Sequence, residues 1–152
     1  MSNQQATAAD AELILKLYDL RREPVMREAR RFILNFAPQS IEDVMAVVGD
    51  FSSKENAYVR QVVGYWSMCA SLVLHGTLNE ELARDNFMEL LFVYAKLEPF
   101  LPEIRKRTGM DTFGANMQKF VEASSEARTR VARFQERFAA MSVAVAGALG
   151  PN

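Results

Sequence analysis

The apolar residues of this chain recur at spacings of three and four wherever Gly and Pro do not interrupt them. That is the period of an α-helix, in which such positions fall on one face. The dipeptides Asn-Gly and Asp-Gly, which are the strongest short-range signals of a β-hairpin, do not occur in the sequence. We therefore expect an all-α fold.

The central part of the sequence predicts two helices, over about residues 53–75 and 80–98. Only four residues, Gly76 to Asn79, separate them, and so short a connection makes neighbouring helices antiparallel. Pro99 and Pro102 predict a break near Glu98. Gly64, inside the first of these helices, suggests close approach by another helix. We expect this hairpin to form the centre of a helical bundle.

Helix starts are indicated by short polar side chains ahead of the apolar runs. Ser40 with Asp43 and Ser52 with Glu55 have the spacing of a capping box. Asp10 is the predicted cap of the first helix. No linker, repeat or low-complexity tract divides the chain, so residues 1–152 are predicted to form one all-helical domain.

The C-terminal segment carries the most regular pattern, with apolar or small residues alternately four and three apart from Phe113 to Ala148. It predicts a long helix over about residues 112–146. At 1.5 Å per residue, a helix from 113 to 148 measures about 54 Å. Because a domain of this size has a radius of gyration of only about 15 Å, that helix either bends near Ser124 and Ser125 or packs its far half on something else.

The C-terminal half of this segment predicts a two-fold dimer contact. Its apolar positions continue past the point where a small core should end, and exposed patches of large apolar side chains are rare in soluble monomers. The predicted interface residues are Val131, Phe134, Phe138 and Met141.

Aromatic residues are concentrated in the two central helices. They indicate either ordinary core or a pocket for a small apolar ligand between the helices. The candidate pocket residues are Tyr65, Trp66, Phe87, Phe92 and Tyr94. In both interpretations, Trp66 and Cys69 share one face of their helix and should be shielded.

The residues that usually carry catalysis are few. The chain has one Cys and one His, and it lacks a phosphate-binding Gly-rich loop, a nucleophile elbow and a metal motif. Glu81, Asp85 and Glu89 fall on one helical stripe, which could bind a hard cation or pair with arginines of a neighbouring helix. We expect no catalytic, cofactor or metal site.

The formal net charge of −1 gives no global attraction to nucleic acid. Arginines cluster near both ends of the chain while residues 41–98 are acidic, so we expect pairing within the molecule and no nucleic-acid partner. The uncharged, Ala- and Gly-rich stretch Phe138 to Pro151 is shorter than the roughly 20 apolar residues of a membrane span. Met1 to Ala9 lacks the features of a secretory signal. We therefore expect a cytoplasmic protein without a membrane partner.

One stretch resembles a known family. It comprises Trp66-Ser67, the run Leu72-Val73-Leu74-His75-Gly76-Thr77-Leu78-Asn79-Glu80-Glu81-Leu82, Phe87, and Leu97-Glu98-Pro99 to Ile104-Arg105. Over residues 66–105 it is similar to small bacterial helical proteins grouped as a domain of unknown function. The resemblance implies an all-α bacterial domain and supplies no catalytic residues.

Together these features favour a non-enzymatic interaction or scaffold protein that acts as a homo-oligomer, most simply a dimer. The alternative is a sensor or carrier that holds a small apolar ligand between its helices. The carrier requires a pocket in the aromatic cluster, whereas the scaffold requires a dimer contact on the C-terminal helix.

Overall fold

The computed structural model describes residues 5–150, so the first four and last two residues of the predicted domain, and Pro151 of the uncharged stretch, lie outside it. Within this range the chain is helical and contains no strand, which confirms the predicted fold class. The helices are α1 (Ala8–Leu20), α2 (Pro24–Asn35), α3 (Ile41–Val48), α4 (Lys54–Leu74), α5 (Glu80–Asn86), α6 (Met88–Leu97), α7 (Leu101–Thr108), α8 (Ala115–Glu122) and α9 (Ser125–Ala148). A 3₁₀ turn, Glu98–Phe100, precedes α7 at the predicted break.

Most helix starts follow the predicted caps. Ser40 and Asp43 form the capping box of α3, and the Asn79 side chain accepts from Leu82 N at 2.8 Å at the start of α5. Two predicted caps were wrong. Asp10 is the N3 residue of a capping box whose N-cap is Thr7, three positions earlier. Ser53, not Ser52, caps α4.

The segment predicted as one helix over 80–98 contains two. It breaks at Phe87, which has φ −102° and ψ 33° and ends α5. The Phe87 side chain is buried, with its ring 5.5 Å from that of Trp66 and 6.1 Å from that of Phe120. Neither Gly nor Pro marks this break, so the local sequence carried no signal of it.

The C-terminal helix predicted over 112–146 is also interrupted. Ser124 has an extended backbone with φ −139° and ψ 122°, and its side chain accepts from Ala127 N at 3.2 Å. It therefore ends α8 and caps α9. Of the two outcomes left open by the sequence, the bend near Ser124 is the one observed.

The packing of the helices corrects the predicted central hairpin. Helix α4 lies between α2 and α8, and those two are its main neighbours, while α6 packs against α9. Within the segment 80–98, the Phe87 ring packs against Trp66 of α4, while α6 packs against α9 and α8.

The core contains the residues expected on the inner face of α4. Trp66 and Cys69 are fully buried, as predicted. The close approach predicted at Gly64 is wrong, because this residue is exposed and a Cβ atom there would meet nothing within 4 Å. No helix in residues 5–150 is long and apolar enough to cross a membrane.

Candidate interaction surfaces

Three of the five candidate pocket residues lie together in the core. The rings of Tyr65, Trp66 and Phe87 follow one another at centroid distances of 4.9 and 5.5 Å, both in edge-to-face arrangements. The Tyr65 hydroxyl donates to Leu17 O at 2.5 Å. These side chains pack against each other as an ordinary aromatic core does.

Phe92 and Tyr94 lie in other surroundings. The Phe92 ring is 5.2 Å from each of the rings of Phe134 and Phe138, and so joins α6 to α9. The Tyr94 hydroxyl donates to Glu98 Oε1 at 3.2 Å. Phe92 and Tyr94 therefore have other partners than the rings of Tyr65, Trp66 and Phe87. Phe87 lines a small cavity of about 40 Å³ together with residues of α8 and α9.

Of the three carboxylates on the predicted stripe, only Glu89 is engaged in the bundle. It accepts from Arg21 Nη2 at 2.9 Å and from Arg30 Nη2 at 2.6 Å. Glu81 and Asp85 are exposed on α5. No cluster of His, Cys, Asp and Glu within residues 5–150 is arranged to hold a metal ion.

The electrostatics of Glu89 are those of a paired carboxylate. Burial raises its pKa, but the hydrogen bond from Arg30 and the charges of Arg21 and Arg30 outweigh that effect, so the pKa lies below the usual value. The Arg21 guanidinium also lies 5.2 Å from the Trp66 ring centroid. The ion pairs of Arg21 and Arg30 with Glu89 therefore connect the α1–α2 connection and α2 to the start of α6.

Lys96 on α6 is a buried cation. Its ammonium donates to Leu34 O at 3.0 Å and to Phe36 O at 2.6 Å, at the C-terminal end of α2. The same Nζ lies about 5 Å from the ring centroids of Phe92 and Phe138. Burial lowers its pKa. Lys96 thus connects α2, α6 and α9 at one point, where carbonyl oxygens and aromatic faces solvate its charge.

Cys69 and His75 occupy structural positions. Burial raises the pKa of the Cys69 thiol to about 11, which leaves it a poor nucleophile. His75 is the exposed C-cap of α4, and its backbone N–H bonds to Ser71 O at 3.0 Å.

Several arginines of the basic ends pair with the acidic middle, as expected. Besides the pairs at Glu89, Arg128 of α9 donates to Glu98 at 2.5 Å, and the same carboxylate accepts from Gln135 at 2.8 Å. Arg130, in contrast, pairs locally with Glu126 at 2.5 Å.

The four predicted interface residues divide along α9. Val131 belongs to the core of the chain itself, because it is fully buried, so it is not open to a partner. Phe134 and Phe138 are half-buried, with their rings edge-on to Phe92. Met141 is 67% exposed.

Beyond Phe138, α9 extends past the packed helices into solvent. Every residue from 139 to 150 except Ser142 is exposed, so no face of this stretch is covered by the chain. It contains no charged residue. Its large apolar side chains are 60–79% exposed and are those of Met141, Val143, Val145 and Leu149. We call residues 139–150 the α9 extension.

A second surface feature lies between α2 and the start of α4 and was not predicted. It is an open groove of about 670 Å³. Its lining residues are Glu28, Arg31, Phe32, Asn35, Phe36, Ala37, Lys54 and Tyr58. We call it the α2–α4 groove. The sequence carried no local signal of this groove, because it exists only when α2 packs on α4.

The comparisons with known proteins identify a family. The model of the family described as a domain of unknown function, DUF4760, matches residues 6–124. No curated protein and no solved structure matches the chain. The matched range ends at Ser124, so α1 to α8 lie within it and α9 lies beyond it.

Proposed function

Since the chain belongs to the family of the domain of unknown function DUF4760, we propose its function from geometry: a non-enzymatic interaction or scaffold protein that self-associates through the α9 extension. The observation that carries this proposal is the uncharged, exposed stretch at residues 139–150. A continuous apolar surface of this kind is typical of a contact site.

The α9 extension differs from the exposed apolar residues of α1. Leu15 and Tyr18 on α1 are also exposed, but Glu12, Lys16 and Asp19 lie between and around them. The extension has no charged side chain for a dozen residues. Met141, Val145 and Leu149, each four positions apart, fall on one helix face and offer a continuous strip.

A second copy of the chain is the occupant that the proposal favours. Small residues at 139, 140, 144 and 146–148 allow close approach of two helices. An apolar strip is complementary to itself, so two copies can pair about a two-fold axis through the same residues. Ten of the twelve residues, 139–148, belong to α9 and span only about 15 Å of helix. We therefore expect an interface below the usual ~800 Å² per partner, and micromolar dissociation.

The non-enzymatic part of the proposal is supported by how the reactive side chains are used. Cys69 is buried with a raised pKa, and Glu89 is held by two arginines. The proposed location is the cytoplasm, as the sequence favours. The alternative function, a carrier of an apolar ligand among the central aromatics, has less support because those rings pack against each other or lie apart.

Paired variants test the contact. We expect Met141→Glu to shift the protein toward the monomer at tens of micromolar, because each copy places a carboxylate in the apolar interface. Leu15→Glu is the matched control, since Leu15 and Met141 are both 67% exposed. Light scattering after size exclusion should find a lower mass for Met141→Glu alone. Equal masses for the two variants would contradict the proposed contact.

A further inference from the structure

We propose that the α2–α4 groove binds a small planar aromatic anion, with its ring against Phe32, Phe36 and Tyr58 and its anionic group at Arg31 and Lys54. This site is separate from the proposed self-association. Its volume of about 670 Å³ lies within the range of small-molecule sites, roughly 300–1,000 Å³.

The wall of the groove is aromatic. The rings of Phe32 and Phe36 are stacked with centroids 5.6 Å apart, and the Tyr58 ring lies 6.0 Å from that of Phe32. All three residues are only half-buried, so part of each ring is open to the groove. A planar aromatic ligand gains binding free energy from such a wall beyond that from burying its surface area. The reason is that aromatic rings attract each other in edge-to-face or offset arrangements.

The charges of the groove favour an anion. Arg31 is exposed and forms no ion pair or side-chain hydrogen bond within the described chain, and its charge acts on Glu28 only at longer range. Lys54 Nζ lies 3.5 Å from Glu28. Two cations therefore face one carboxylate, and the Tyr58 hydroxyl already donates to that carboxylate at 2.5 Å. Arg31 is left to bind an anionic group, for which a guanidinium offers a two-pronged hydrogen bond.

The α9 extension of a second copy is not the ligand that these features fit, because it carries neither a ring nor a charge. A result that contradicts self-association would therefore not contradict ligand binding in the α2–α4 groove. A result that contradicts ligand binding would likewise not contradict self-association.

Naphthoate is the probe for this proposal, because it combines a planar two-ring system with a carboxylate. In a titration followed by amide NMR shifts, we expect saturable changes confined to residues of α2 and the start of α4. Naphthamide, which keeps the rings without the charge, and cyclohexanecarboxylate, which keeps the charge without the aromatic ring, should each bind more weakly.

Variants separate a specific contact from general charge. Arg31→Gln should weaken naphthoate binding by about fivefold, since a charge-assisted hydrogen bond at an exposed site is lost. Arg27→Gln removes the same charge from α2 at a position that does not line the groove, and should change the affinity less than twofold by the same argument. The proposal is overturned if no saturable shifts occur in the groove, if naphthamide binds as tightly as naphthoate, or if both variants weaken binding equally.

Discussion

At Glu89, one carboxylate accepts hydrogen bonds from two arginines that lie 68 and 59 residues earlier in the chain. Replacing it by Gln keeps the shape but leaves two partly buried guanidinium groups without an anion. We expect Glu89→Gln to lower the free energy of unfolding by about 2–3 kcal/mol, somewhat less than a fully buried pair costs. Urea denaturation measures this change.

Glu126→Gln is the control for that measurement. Glu126 pairs with Arg130 on the exposed side of α9, where an ion pair contributes about 0.5 kcal/mol or less. If both variants cost the same, the group around Glu89 does not stabilise the junction of α1, α2 and α6 in the way described.

The same residue sets a pH dependence. The folded pKa of Glu89 lies below its ordinary value, so its contribution is present above the unfolded pKa of about 4.3 and is lost as the pH falls through the folded pKa. The stability difference between wild type and Glu89→Gln should therefore be full at neutral pH and shrink at acidic pH. A difference that stayed constant below pH ~4 would contradict the ion-pair account.

The sequence indicated this residue but not its partners. Glu89 was recognisable as one of three carboxylates on a helical stripe, and pairing with arginines of another helix was one of two predicted outcomes. Which of the three would be paired depended on the break at Phe87, which turns α6 toward the α1–α2 connection and leaves Glu81 and Asp85 in water.

At the scale of the element, Gly64 in the middle of α4 has no visible structural use. It is exposed and an added methyl group would meet no atom within 4 Å. We expect Gly64→Ala to raise the free energy of unfolding by about 0.5–1 kcal/mol, because Ala loses less backbone freedom on folding. Thermal or urea unfolding should detect the gain.

Gly76→Ala provides the opposite control. Gly76 has φ +70°, where a side chain strains the backbone, so this substitution should be destabilising. A loss of stability in Gly64→Ala would instead indicate a partner that approaches α4 at that point.

Helix boundaries could be predicted where a capping residue or Pro marks them. They could not be predicted where tertiary contacts determine where a helix ends. Ser40, Asn79 and the Pro99 region gave clear local signals. At the break, the Phe87 ring lies between those of Trp66 and Phe120, and only the assembled fold reveals this contact.

At the scale of the whole molecule, the order in which the helices pack was the least predictable property. A four-residue connection suggested that α4 would pair with the next segment, yet its main neighbours are α2 and α8. The α2–α4 groove was missed for the same reason. In contrast, the length of the apolar pattern in the C-terminal segment did predict an exposed apolar surface. That surface lies farther along α9 than Val131 and Phe134.

The molar mass of the wild-type chain across a concentration series, measured by sedimentation equilibrium, tests the central claim most directly. We predict that the mass rises from 17.1 kDa toward twice that value as the concentration passes through the micromolar range. A chain ending at Ala140 should remain at the monomer mass with its helical circular dichroism largely retained. A wild-type mass of one chain at every concentration would contradict self-association through the α9 extension.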